Sequence, residues 1–114
     1  MVEIYGIKSC DTMKKAFRWL EENNIEFHFH DYKKVGLDVS TATSWIQELG
    51  WENVINKRGT TWRKLDEETK SNMNDELAVE TIVAQTSMIK RPLIIAKDKI
   101  HLGFKAEDYA KIFL

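Results

Sequence analysis

A chain of 114 residues is long enough for one domain with one real core. Hydrophobic residues make up 43% and charged residues 31%, a balance ordinary for soluble globular proteins that excludes a disordered chain. The formal net charge of -1 gives no overall pull toward nucleic acid or membrane, and no apolar run reaches spanning length. Neither is expected as a partner, and any anion site must be local. The N-terminus lacks the basic-then-apolar pattern of a signal peptide, and the lone cysteine, Cys10, has no intrachain disulfide partner. A cytoplasmic monomer is expected.

Val2 to Ile7 is short, partly β-branched and ends before a polar turn, which predicts a strand. Met13, Ala16, Phe17 and Leu20 follow helical spacing in a helix that starts at about Asp11 or Thr12 and ends at Asn23-Asn24. Ile25, Phe27 and Phe29 then alternate with Glu26, His28 and His30, the period of a second strand. Such a βαβ unit has parallel strands and a right-handed crossover. Asp38 caps a helix with Val39, Ala42, Trp45, Ile46 and Leu49 on its face, and Gly50 stops it. Trp51 to Ile55 predicts a short turn, Asn56 to Arg63 a basic polar loop, and Asp66 to Ser71 a short helix. Asn74 or Asp75 caps a longer helix to about Gln85, with Leu77, Ala78, Thr81 and Ile82 inward. Leu93 to Ala96 and Ile100 to Leu102 read as a hairpin linked through Lys97-Asp98-Lys99. Ala106, Tyr109, Ala110 and Phe113 mark a final helix. The order β-α-β, helical block, β-β-α predicts an α/β protein. It has the thioredoxin-like fold with a mixed four-stranded sheet and a helical insertion at about 37–87, all in one domain.

Cys10 falls at a strand-to-helix junction, facing the free N–H groups and the positive end of the helix dipole, which favour thiolate. Lys8, Lys14 and Lys15 add nearby positive charge. Placement alone leaves two roles open, a reactive thiol and a small buried hydrophobe. The one proline, Pro92, follows Lys90-Arg91 and precedes a strand. By itself it is an ordinary trans-proline on an edge strand. In a thioredoxin-like fold it occupies the position of the cis-proline beside the thiol, which carries Arg91 close to the sulfur. The loop around Arg58, with Gly59, Thr60, Thr61 and Arg63, is either a solvated face or a carboxylate or oxyanion site. His28 and His30 share a strand face, but no carboxylate or cysteine cluster joins them at zinc-like spacing, so no metal site is expected. Trp19 lies off the apolar face of its helix, semi-exposed near a partner surface.

Tyr5-Gly6-Ile7-Lys8-Ser9-Cys10-Asp11-Thr12, Lys57-Arg58-Gly59-Thr60-Thr61-Trp62-Arg63, Ile89-Lys90-Arg91-Pro92 and Leu102-Gly103-Phe104 together resemble the arsenate reductase-like (ArsC) family. That family also holds the Spx-type transcriptional regulators. The resemblance spans essentially the whole chain and is greatest to the YffB-like branch, proposed to be glutathione-dependent thiol reductases. It implies a monothiol oxidoreductase with Cys10, Arg91 and Arg58 as catalytic residues and Lys8, Thr12, Thr60 and Pro92 as substrate contacts. No bound cofactor is implied. Glutathione, or another small thiol or oxyanion, is the implied co-substrate, and glutaredoxin or RNA polymerase a possible protein partner. Three departures narrow this. The third oxyanion arginine of the arsenate reductases falls on Phe104, and the histidine four residues before their cysteine falls on Gly6. The second cysteine of the Spx Cys-x-x-Cys switch falls on Met13.

Overall fold

Alternation along Val2–Gly6 (β1) sends Val2, Ile4 and Gly6 to a buried face and Glu3 and Tyr5 to the other. The computed structural model describes all 114 residues. Phe27–Asp31 (β2) runs parallel to β1, in a register that pairs Val2 with Phe27 and Gly6 with Asp31. Between them lies the helix Asp11–Glu22 (α1), whose Met13, Ala16 and Leu20 are buried at helical spacing. Leu93–Ala96 (β3) is antiparallel to β1, and Lys99–Leu102 (β4) is antiparallel to β3. The sheet order is β2-β1-β3-β4, the mixed four-stranded arrangement of the thioredoxin-like fold.

Two compact units make up the chain, Met1–Val35 with Arg91–Leu114, and Gly36–Lys90. In the first, Val2, Ile4, Ile94 and Ala96 from the sheet meet Met13, Ala16 and Leu20 from α1 and Tyr109 from the last helix. Burying a side chain such as Leu20 completely stabilises the fold by roughly 1.5–3 kcal/mol. A Cβ at Gly6 would run into the thioether end of Met13, which would have to shift to admit it. Trp19 is half-exposed, as expected, and its ring packs edge-on to Tyr109, 5.6 Å between centroids, at the margin of the core.

The hairpin turn is tighter than the sequence suggested. Lys99 already pairs with Ala96, leaving only Lys97 and Asp98 in the loop, with φ of 52° and 63°. Both are left-handed, as a type I′ turn demands, and this is costly for residues with a Cβ. Asp98→Gly is therefore expected to stabilise the protein by roughly 0.5–1 kcal/mol, read as a higher urea midpoint at unchanged slope. Lys97 is better kept, since its Nζ donates to the Ile112 carbonyl at 2.8 Å.

In the second unit, Val39–Leu49 (α3) starts where Asp38 accepts from the Thr41 N–H at 2.7 Å. It packs against Asp75–Ala84 (α7) through buried Ala42, Trp45, Ile46, Ala78 and Ile82. Val39, expected on the inner face, is 61% exposed, because it lies in the first turn. Trp51–Val54 (α4) leads to Ile55, which bridges Ile89. The predicted loop from Asn56 to Arg63 contains a short helix, Thr60–Arg63 (α5). Lys57 lies over the Trp51 ring at 4.8 Å, and Trp62 stacks beside that ring, so the basic segment is clasped by two aromatics. Glu67–Ser71 (α6) follows. A 3-10 turn at Thr86–Met88 and a four-residue helix at Tyr32–Val35 (α2, in the first unit) carry too few residues for a readable period. Ala106–Phe113 (α8) ends the chain.

Candidate functional site

Three chain segments converge at one end of the strands in the first unit, for topological reasons. β1 and β2 are parallel, so the residues after Gly6 and after Asp31 emerge at the same end. β3 is antiparallel to β1 with Leu93 opposite Tyr5, so the residues before Leu93 start there too. Those residues are Ile7 to Cys10, Tyr32, and Arg91-Pro92.

Cys10 is the N-cap of α1, with extended backbone (φ -91°, ψ 135°). Its carbonyl accepts the first helical bond, from Lys14 N–H at 3.0 Å, while the N–H groups of Thr12 and Met13 are left facing its side chain. The sulfur makes no cap hydrogen bond of standard geometry, but the field of those N–H groups still favours its thiolate. Partial burial pushes the thiol up. The Met13 N–H, the Arg91 guanidinium and the Thr12 N–H together outweigh it, and the thiol ends below its ordinary value of 9.0.

The Arg91-Pro92 peptide bond is cis, as the fold-based reading expected. Pro92 is buried, and its carbonyl accepts from the Gly103 N–H at 2.8 Å. Arg91 is half-buried and acts on two groups, the Cys10 sulfur and the Tyr32 hydroxyl. Tyr32 is 1% exposed, and burial pushes its phenol far above the ordinary tyrosine value, an effect that Arg91 partly offsets. The hydroxyl makes no hydrogen bond of standard geometry, although Arg91 lies near enough to favour its ionised form. Cys10, Arg91 and Tyr32 are thus one electrostatic cluster.

The lowered thiol pKa makes folding stability depend on pH. Where the folded chain is thiolate and the unfolded chain is thiol, the unfolded state binds more protons, so stability rises with pH. This contribution is fully present above the ordinary value of 9.0 and is lost as pH falls through the lower folded value. The unfolding free energy of the wild type minus that of Cys10→Ser is expected to grow with pH across this window. Urea unfolding of both proteins at a series of pH values checks it, and a flat difference would contradict a stabilised thiolate.

Of the residues singled out from sequence, Cys10, Thr12, Arg91 and Pro92 come together. Lys8, Lys14 and Lys15 are exposed, and the cation that acts on the thiol is Arg91. Arg58 and Thr60 belong to the second unit and are exposed on it, where the Asn56 side chain accepts from the Arg58 N–H at 3.1 Å. Phe104 lies edge-on to Tyr109, 4.7 Å between centroids, as a core residue. Sequence reasoning missed Tyr32. The available signal was its place just after the strand parallel to the one that precedes Cys10. It also missed a cluster on the other face of β1 and β2. Glu3 lies opposite His28 in the register, so a carboxylate does join the two histidines, contrary to expectation.

The sequence matches the model of the ArsC family over residues 5–112. Among solved structures, the YFFB protein is 46% identical, with both chains covered in full and a TM-score of 0.95. An arsenate reductase (ArsC) related protein from Brucella melitensis is 48% identical, with 98% of this chain and 93% of the other covered and a TM-score of 0.81. A protein of Haemophilus influenzae is 42% identical, with 99% of each chain covered. The global transcriptional regulator Spx of Streptococcus pyogenes is 28% identical across 100% of this chain and 85% of its own length.

Proposed function

Since the chain belongs to the ArsC family, we propose that it is a monothiol oxidoreductase that takes its electrons from glutathione, with the Cys10 thiolate as nucleophile. The observation that carries this reading is the pairing of a lowered thiol pKa with a single cysteine in the whole chain. The thiolate attacks the glutathione-side sulfur of a mixed disulfide, forming Cys10–S–S–glutathione and releasing the substrate as a thiolate. A second glutathione thiolate then attacks that intermediate, regenerating Cys10 and leaving as glutathione disulfide. One disulfide is consumed and one is made: the mixed disulfide and one free glutathione thiolate give the substrate thiolate and glutathione disulfide. Arg91 stabilises the thiolate as attacking and leaving group. Lys8, Thr12 and Pro92 are the proposed anion and peptide contacts.

The test is mass spectrometry of the native protein after treatment with glutathione disulfide, beside a thiolate titration of Cys10. One glutathionyl unit per chain and a thiol titrating below its ordinary value are expected. A thiol titrating at or above that value, with no adduct, would sink the idea. Arsenate turnover with glutathione and glutaredoxin is expected to be weak or absent, because Phe104 offers no donor where an oxyanion arginine would stand.

A second reading has its own support, the end-to-end similarity to the regulator Spx. On that reading the protein is a module that docks on RNA polymerase. Capture of polymerase subunits that survives Cys10→Ser would favour it, and absence of capture would leave the enzyme.

A further inference from the structure

The exposed-side residues of β1 and β2 place two imidazoles around one carboxylate oxygen. Glu3 Oε1 lies 2.6 Å from His30 Nε2 and 3.1 Å from His28 Nδ1. The donor atoms of the three residues all lie within 4.8 Å of one another. We propose that Glu3, His28 and His30 form a site for one divalent transition-metal ion of the zinc, nickel or copper class, bridging the two parallel strands.

The register builds this site without any loop. Glu3 pairs with His28, and Tyr5 with His30, so period-two alternation puts all four side chains on one face. The rings are held in place by aromatic contacts. Tyr5 stacks on His30 with centroids 4.2 Å apart and planes 10° apart, and the His28 ring lies 4.3 Å from that of His30. A tetrahedral ion with bonds of about 2.0–2.1 Å sets its donor atoms about 3.4 Å apart. The 3.1 Å pair is already close to that, and the 2.6 Å pair has to open by less than about 1 Å.

An ionised carboxylate only accepts hydrogen bonds, so each ring nitrogen facing Oε1 carries a proton. A metal ion takes the place of those protons. Each imidazole then binds through the nitrogen that now faces Glu3 and keeps its proton on the other. Metal and acid therefore compete for the same three groups. Two nitrogens and one oxygen suit the zinc, nickel and copper ions, whereas magnesium and calcium favour all-oxygen sites. Three protein ligands leave a fourth position for water or a donor from another molecule. The site is reachable from solvent, because the His28 side chain is 61% exposed and β2 is an edge strand.

The test titrates the full chain with zinc chloride by calorimetry, in wild type under reducing conditions and in Cys10→Ser, which removes the thiol as a rival ligand. One equivalent is expected to bind in both. Glu3→Gln, His28→Gln and His30→Gln should each weaken binding by more than about tenfold, and magnesium chloride should not bind. Zinc should raise the melting temperature of Cys10→Ser but not of a Cys10→Ser, His28→Gln double variant. Circular dichroism confirms that each variant is folded, and the exposed His28 makes His28→Gln the safest of them. Binding that disappears with Cys10→Ser, binding undiminished by His28→Gln and Glu3→Gln, or no binding of zinc, nickel or copper at micromolar protein would each overturn the proposal.

Discussion

Cys10→Ser is expected to abolish glutathionylation outright, and Arg91→Met to slow it near neutral pH by about three- to fourfold for each unit by which the thiol rises. The first follows from there being no other sulfur nucleophile of this kind in the chain. The second follows from two opposing effects. Below the thiol pKa, each unit of rise removes about tenfold of the thiolate. Nucleophilicity recovers part of this with a slope of about 0.4–0.5, so the net loss is about three- to fourfold per unit. The N–H groups of Met13 and Thr12 remain in Arg91→Met, so the thiol rises without losing all of its stabilisation. The pH-rate profile separates this from a loss of geometry. A shifted profile is expected, in which the deficit closes and then reverses at alkaline pH, where the more basic thiolate of Arg91→Met is the better nucleophile. A uniform loss at every pH would contradict the electrostatic role of Arg91.

Tyr109→Ala is expected to cost about 3–5 kcal/mol of stability, a large share of the roughly 5–15 kcal/mol typical of a domain this size. Tyr109 is 1% exposed and touches the rings of Trp19, Phe104 and Phe113. Its truncation leaves a cavity among three large aromatics carried by α1, by α8 and by the segment between β4 and α8. Its hydroxyl donates to the Gly103 carbonyl at 3.2 Å, and the Gly103 N–H in turn donates to the Pro92 carbonyl. Tyr109→Phe keeps every ring contact and drops only that hydroxyl, so it should lose about 0.5–1.5 kcal/mol. Urea unfolding of the pair measures both. Equal losses would mean that the hydrogen bond, rather than the ring packing, anchors α8.

The strands and long helices were legible because each carries its own period. Met13, Ala16 and Leu20 mark α1 by spacing, and Asp38 and Asn74 mark their helices by accepting from the first turn. Cys10 was legible from a local fact, a sulfur at a strand-to-helix junction. Arg91 was legible only once the fold had been inferred from the element order, because its nearness to Cys10 depends on β3 lying beside β1. Tyr32 and Glu3 were not legible, for one reason. Their neighbours are set by the register of β1 against β2, and the two strands are separated in sequence by the whole of α1. No local pattern fixes which residue of Phe27–Asp31 faces which residue of Val2–Gly6. Four-residue elements such as α2 and α5 were missed because one helical turn gives no repeat to detect.

Met13 fills the position of a second sulfur with a fully buried thioether, and this fixes the stoichiometry of any disulfide that Cys10 makes. A dithiol oxidised by glutathione disulfide releases two glutathiones, so its balance shifts whenever the total pool is diluted, even at constant composition. A monothiol releases one. The fraction of this protein in the mixed-disulfide form would then follow the simple ratio of oxidised to reduced glutathione. The absolute amount of glutathione would cancel from the equilibrium.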